Sequence, residues 1–205
     1  VEIEPEVKKI KRAVGIDMGC IDFVTCSDGN TIPNPHFLRK SQEVLSNIQR
    51  EYSNLRNKPK DNKKKIRTKR KLVKLHCKVK NQRKDFLHKI SRKFVKEYSH
   101  IYVENIKTSQ MLNDNWRNLN RSMLDSGWTT FRQMLHNKAV EAGCEVVDVN
   151  PKYTSQVCSG CGNIVKKELS DRQHKCNICG LDIGRDLNAA RNILRVGMDS
   201  FSNVS

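Results

Sequence analysis

The amino-acid sequence predicts an α/β domain with a helical hairpin and a small metal-binding module set into it, and three observations carry that reading. Short apolar runs alternate with segments of helical period, the pattern of strands and helices packed in layers. A long basic segment with apolar residues at three- and four-residue steps interrupts the alternation. Two C-x2-C pairs interrupt it again further on.

Taken in order, Val1 to Glu6 reads as an extended linker without a core of its own, and residues 1–12 are set apart on that ground. A chain that opens on Val rather than Met is expected to be a fragment of something longer. Ala13-Val14-Gly15-Ile16 is the first apolar run and leads into Asp17, and Ile21 to Cys26 is the second. Ser27-Asp28-Gly29-Asn30 then precedes Thr31-Ile32, and Asp-Gly between such runs signals a β-hairpin. Pro33 and Pro35 end the sheet region.

From about Leu38 the apolar residues Leu45, Ile48, Tyr52 and Leu55 recur at helical spacing until Pro59 breaks it. A longer helix follows to about Glu97, its inner stripe formed by Leu72, Leu75, Val79, Phe86, Ile90 and Phe94. The two are expected to pair as an antiparallel hairpin across residues 39–97. Ile101-Tyr102-Val103-Glu104 returns to strand character, whereas Asn105 to Ser126 has no clear period and is expected to be a mobile loop serving as a lid. Trp128, Phe131, Leu135, Ala139 and Ala142 mark an amphipathic helix stopped by Gly143, ahead of a strand at Glu145 to Val149. After the cysteine pairs, Asp186 to Arg195 closes the chain as a short helix with Leu187, Ala190 and Leu194 inward. Residues 197–205 read as a disordered tail.

Charge narrows the choice of partner. Lys and Arg number 39 against 22 Asp and Glu, a net +17 that exceeds what solubility needs and points to a polyanion. Arg56 to Lys93 alone holds eighteen Lys and Arg against Asp61 and Asp85. A run of mixed sign would be a solvated helix face. Near-uniform sign favours a grip on a nucleic-acid backbone, with Lys64, Arg67, Lys71, Lys74, Lys78 and Arg83 as the expected contacts. An anionic membrane is the competing partner, but no apolar run approaches the ~20 residues of a span and no lipidation signal is present.

Cys158-Ser159-Gly160-Cys161 and Cys176-Asn177-Ile178-Cys179 are separated by fourteen residues, and each pair can offer two thiolates from one tight turn to a tetrahedral ion. Gly162 and Gly180 follow the second cysteine of each pair and let the backbone turn its amides toward the sulfurs. One zinc ion is the expected occupant, with residues 155–183 as a zinc ribbon. Four thiolates leave no open position for water, so its role is structural. A redox dithiol is the competing reading, and two matching knuckles serve a metal better. Cys20, Cys26, Cys77 and Cys144 lack paired spacing and read as buried or incidental, and His174 falls outside a site that four cysteines already fill. No signal peptide opens the chain, which fits a reducing, cytoplasmic setting.

Asp17 and Glu104 each end an apolar strand, and Asp186 opens the last helix. Singly, each is as well explained by a paired charge or a helix-start acid. Together, three acids at the ends of separate elements of one α/β core suit two hard cations about 4 Å apart that share carboxylate ligands. Such a set would hydrolyse a phosphodiester by metal-activated water.

Several ordered stretches resemble the TnpB family of insertion-sequence proteins: Gly15-Ile16-Asp17-Met18-Gly19, Val103-Glu104-Asn105, Thr154 through Gly162, and Arg185-Asp186-Leu187-Asn188-Ala189-Ala190-Arg191-Asn192. Asn81 to Lys89 and Ser126-Gly127-Trp128 agree as well, so the resemblance covers nearly the whole chain. It implies an RNase H-like, RuvC-type mixed sheet with flanking helices in residues 13–154 and 184–196, the basic hairpin and the zinc ribbon being insertions. It implies that Asp17, Glu104 and Asp186 are catalytic acids that hold magnesium, as two ions replaceable by manganese, and that the four cysteines hold zinc. The activity implied is that of a bacterial or archaeal DNA endonuclease, guided in its full-length form by an RNA while the protein reads a short motif beside the target. Cleavage of single-stranded DNA is the expected assay, and Arg185 is expected at the scissile phosphate.

Two departures from the family matter. A region for guide and target-motif binding is expected to precede Val1, and Gly184 stands where the family often has Asp. A non-cleaving nucleic-acid-binding accessory or repressor protein, and an inactive truncated remnant, are the alternative readings.

Overall fold

A computed structural model of the chain describes residues 12–106, 127–168 and 170–202. Five strands, β1 (Ala13–Asp17), β2 (Asp22–Cys26), β3 (Thr31–Pro33), β4 (His100–Glu104) and β5 (Glu145–Val149), form one mixed sheet in the order β3-β2-β1-β4-β5. β1, β4 and β5 run parallel, and β2 and β3 continue the sheet antiparallel from β1. The Asp-Gly turn lies where the sequence places it: Gly29 has φ 91, and the Asp28 side chain accepts the Asn30 amide at 3.1 Å.

α1 (Phe37–Asn54) and α2 (Lys63–Glu97) form the expected antiparallel hairpin. Phe37, opening α1, meets the ring of Phe86 late in α2, while Glu51 late in α1 accepts from the Thr68 hydroxyl early in α2. Asn62 caps α2 by accepting the Lys65 amide at 3.1 Å. At ~1.5 Å per residue α2 is about 50 Å long, and its C-terminal half reaches the sheet. There Leu87, Phe94 and Val95 join Val14, Ile16, Phe23, Ile101 and Val103, together with Phe131 and Leu135 of α3 (Trp128–Ala142). Phe23 sits among rings, edge-on to Phe86 at 5.1 Å and to Phe131 at 5.0 Å. Gly143, at φ 59, ends α3 as expected.

α4 (Arg185–Ser202) covers the opposite face of the sheet. Side chains alternate along a strand, so Val14, Ile16, Ile101 and Val103 enter the α2/α3 core while Gly15, Asp17, Tyr102 and Glu104 look toward α4. Gly15 is the point of closest approach: a Cβ there would lie 2.3 Å from the Ala190 carbonyl oxygen and 2.4 Å from the Leu194 nitrogen. Gly197 is a second such point, where a Cβ would lie 2.0 Å from the Tyr102 ring.

The sequence reading is corrected at α4. The helix does not stop at Arg195 but continues to Ser202, so residues 197–202 are helix and not a disordered tail. The cause is Gly197, whose missing side chain lets the helix run on across Tyr102. Of the expected inward residues, Ala190 is buried and Leu194 packs half-buried against the cluster of Tyr102, Val149 and Ile193, whereas Leu187 is only half-buried and Asn188, Ala189, Asn192 and Ile193 are buried as well. The expected linker, apart from Arg12, and residues 107–126 of the expected lid lie outside the described residues, as do residues 203–205. No helix among the described residues is long and apolar enough to cross a membrane.

Candidate active site and cysteine cluster

β1 and β4 are parallel neighbours in which Ile16 pairs with Val103, so Asp17 and Glu104 stand side by side, one residue further, at the carboxyl ends of the two strands. The first turn of α4 carries Asp186, one helical turn before Ala190, whose carbonyl rests on Gly15. The bare backbone of Gly15 is what lets the helix bring the third acid to the other two. The electrostatics record this convergence. Burial, then the charges of Glu104 and Asp186, raise the Asp17 carboxyl well above the usual carboxylate range, against the pull of Arg185 and the Met18 amide. Glu104 is buried, and burial raises its carboxyl too, against the hydrogen bond from Thr154. Carboxylates gathered together, with Glu104 buried and Asp17 and Asp186 half-buried, are costly until a cation joins them. An all-oxygen donor set of this kind fits a hard divalent ion.

Three residues to which the sequence reading gave no role complete the arrangement. The buried Thr154 donates its hydroxyl to Glu104 Oε1. Asn192 Nδ2 donates to the carbonyls of Thr154 at 2.8 Å and Val157 at 2.6 Å. Asn188, one turn earlier, donates to the Val157 carbonyl at 2.8 Å and accepts the Ser159 amide at 2.9 Å. α4 thereby fastens residues 154–159 and, through Thr154, orients Glu104. A signal was available: two asparagines four apart on a helix face otherwise built from Ala and Ile are polar groups that must find partners inside. Arg185 is half-buried beside the acids, its Nε 3.5 Å from Asp186 Oδ1.

The four cysteines come together as the spacing predicts. The sulfurs of Cys158, Cys161, Cys176 and Cys179 all lie within 4.8 Å of one another, and the pairs Cys158–Cys179 and Cys161–Cys176, each crossing between knuckles, are 3.6 Å apart. Thiolates bound at ~2.3 Å to the corners of a tetrahedron would be about 3.8 Å apart, so the set fits a metal such as zinc and all four are free thiols. The two knuckles repeat each other. Gly162 N–H donates to the Cys158 carbonyl at 2.8 Å and Gly180 N–H to the Cys176 carbonyl at 2.9 Å, with both glycines left-handed at φ 78 and 73. Amides of Cys179 and Ile178 aimed at the Cys176 sulfur bring its thiol down to about 6. A strand pair that the sequence reading did not single out, β6 (Gln173–Lys175) with β7 (Asp182–Gly184), carries the second knuckle. His174 stands outside the cluster, its Nδ1 against Lys167 Nζ.

Of the expected backbone contacts, Lys64, Arg67, Lys71, Lys74 and Lys78 are exposed on the half of α2 that projects from the sheet. Arg83 is set apart from them: it is half-buried, and its Cδ lies 3.3 Å from where a Cβ on Gly127 would sit, at the start of α3. One turn before Leu87, it belongs to the inward face of α2.

Residues 1–115 match the IS605 OrfB family, described as a probable transposase, and residues 128–193 match the family described as "Cas12f1-like, TNB domain". The chain is 35% identical over 210 residues to the "Putative RNA-guided DNA endonuclease InsQ" of Escherichia coli (strain K12), across 96% of this chain and 52% of that protein. It is 37% identical over 188 residues to the "Putative RNA-guided DNA endonuclease" of Streptomyces pristinaespiralis, across 91% of this chain and 45% of that protein. The chain thus spans about half the length of these curated relatives. In fold it is similar to the protein of a solved CRISPR-Cas12f ternary complex, with a TM-score of 0.66 at 18% identity over 95% of this chain and 40% of that one. With more than half of the sequence matched to one family and nearly all of it aligned to proteins of that kind, the chain belongs to the TnpB family of IS605 OrfB-type transposon proteins.

Proposed function

We propose that this chain is the DNA-cutting portion of an RNA-guided endonuclease, an RNase H-like, RuvC-type domain whose catalytic acids are Asp17, Glu104 and Asp186. The observation that carries the reading is the meeting of those three acids at the ends of β1 and β4 and the start of α4, with the Asp17 carboxyl raised by burial and by its two acidic neighbours. The nuclease domain comprises residues 13–154 and α4, and residues 155–183 form a zinc ribbon in which the four cysteines hold one structural zinc.

Asp17, Glu104 and Asp186 would hold magnesium, as two ions, or manganese. Such ions supply an activated water and stabilise the oxygen that leaves the phosphodiester. The chain's own residues do the rest. Thr154 keeps Glu104 in one orientation, and Arg185 offers a guanidinium beside Asp186 to the scissile phosphate. Lys64, Arg67, Lys71, Lys74 and Lys78 hold a nucleic-acid backbone by charge, without reading bases. In the longer protein an RNA guide selects the DNA target by pairing.

The chain should cut labelled single-stranded DNA only with magnesium or manganese present. Asp17→Ala and Glu104→Ala should each fall below about one hundredth of that rate, with DNA binding kept. Cleavage by both variants at the wild-type rate would remove the assignment, and DNA binding without metal-dependent cleavage would favour a non-cleaving accessory protein. Purification should also bring down a defined RNA with the full-length protein.

A further inference from the structure

Tyr153 has a left-handed backbone, at φ 66, and is 50% exposed as a residue. An L-residue with a large side chain takes that conformation against a steric cost, so its surroundings must hold it there. They do: the Tyr153 carbonyl accepts the amides of Gln156 and Val157, both at 3.0 Å, while the Asn150 side chain accepts the Lys152 amide at 3.0 Å. The next residue, Thr154, turns inward to Glu104. The chain therefore presents Tyr153 outward and Thr154 to the acid site in consecutive steps. Core packing does not account for a residue so exposed. Lys152 Nζ lies 5.2 Å from the ring centroid, which puts a positive charge beside an open aromatic surface.

We propose that Tyr153, with Lys152, is a stacking platform for an unpaired nucleobase of the DNA strand that enters the Asp17, Glu104 and Asp186 site. The inference rests on the reading of those acids as a phosphodiester-cleaving site. A ring and an ammonium together match the two chemical parts of a nucleotide, a π face and a phosphate. Bases in a duplex already cover each other's faces, so only an unpaired one can lie on Tyr153. The platform is one residue from the threonine that orients Glu104, and it positions the strand without touching the reacting atoms.

The test uses the full chain and single-stranded oligonucleotides carrying 2-aminopurine at successive positions, without added magnesium or manganese so that no strand is cut. Wild type should change the fluorescence at one or two adjacent positions. Tyr153→Asn, which keeps a residue tolerant of the left-handed region, should abolish that change and weaken single-strand binding about tenfold, with an unaltered melting temperature. Tyr153→Trp and Tyr153→Phe should keep both, and duplex binding should be the same for all. With the metal present, Tyr153→Asn should raise KM about tenfold and leave kcat within about twofold. Unchanged binding by Tyr153→Asn, or equal weakening toward single strand and duplex, would overturn the platform while Asp17-dependent cleavage left the catalytic reading standing. Cleavage that persists in Asp17→Ala would overturn the catalytic reading instead.

Discussion

The cysteine cluster and the carboxylate cluster adjoin the same stretch of chain, residues 154–159, and are held in opposite ways. The cysteines lie on two copies of one turn, each closed by its own glycine and its own hydrogen bonds, between residues 158 and 179. Amides of that turn favour a thiolate at Cys176, while at Cys179, against the pull of the Leu181 amide, burial and the other three sulfurs push the thiol up. The carboxylates come from residues 17, 104 and 186, and no local turn joins them. They meet because β1 and β4 pair in one register and because α4 rests on Gly15; burial raises both Asp17 and Glu104, and at Asp17 the two neighbouring acids add to the rise. A local site of the first kind adds stability when its metal binds. A site of the second kind draws on the stability of the whole domain to keep like charges together, which is the ordinary condition of catalytic groups.

The largest effect should come from breaking the local site. Structural zinc in small domains is worth about 10–16 kcal/mol of apparent binding energy, so Cys158→Ser or Cys176→Ser should unfold residues 155–183. Because Asn188, Asn192 and Thr154 tie the first knuckle to α4 and Glu104, cleavage should fall as well. Bound zinc measured per chain, with hydrogen exchange across the knuckles, checks this, and undiminished protection in a zinc-free variant would contradict it.

Next is the support of the distributed site. Gly15→Ala places a methyl against α4 backbone, which cannot yield as a side-chain tip would. A loss of about 3 kcal/mol is expected, along with most of the cleavage, since Asp186 moves with the helix. Gly162→Ala, with open space around its Cβ, pays only the cost of its left-handed backbone, about 1 kcal/mol. Denaturant titration of the two variants compares them directly.

A smaller effect has a distinctive sign. Asp17 binds its proton more tightly in the folded chain than in the unfolded one. The stability that this group confers is fully present below the ordinary value of 3.8 and is lost as pH rises through the raised value. Without divalent ions, Asp17→Asn should therefore melt above wild type by an amount that grows from acidic to neutral pH, at about 2–4 °C per kcal/mol for a chain of this size. Magnesium or manganese should raise the wild-type melting temperature at neutral pH and leave the variant unmoved. A variant that melts below wild type at neutral pH would show that Asp17 is satisfied without a cation.

The smallest effect on either cluster should come from charge reversal at Lys64, Lys71 and Lys78, exposed on projecting α2. Melting and zinc content should stay as they are. Nucleic-acid binding should weaken, and the slope of log affinity on log salt should shrink by roughly 0.7–0.9 for each phosphate that is no longer neutralised.

Much of this was visible in the linear chain. The two cysteine knuckles needed only their spacing, because a metal site closed by neighbouring turns is a local object. The strands at Ala13, Ile101 and Glu145 and the helices around them announced themselves by period, and the acids ended the strands where expected. The readings that failed are non-local. Gly197 suggested a helix end until Tyr102 was found beneath it, and Asn188 and Asn192 broke an apolar pattern because their partners, Thr154, Val157 and Ser159, lie some thirty or more residues away. The nearness of Gly127 to the Arg83 side chain is likewise a contact that the linear pattern does not show.

By itself, then, the sequence determined which segments become strand or helix, where four thiolates gather, and which acids are candidates. Periodicity, turn residues and short-range spacing carry that information over a few residues at a time. Only the tertiary structure decided that Asp17, Glu104 and Asp186 share one place. Their meeting depends on strand register and on a helix lying against a glycine backbone, contacts between residues tens to more than a hundred positions apart.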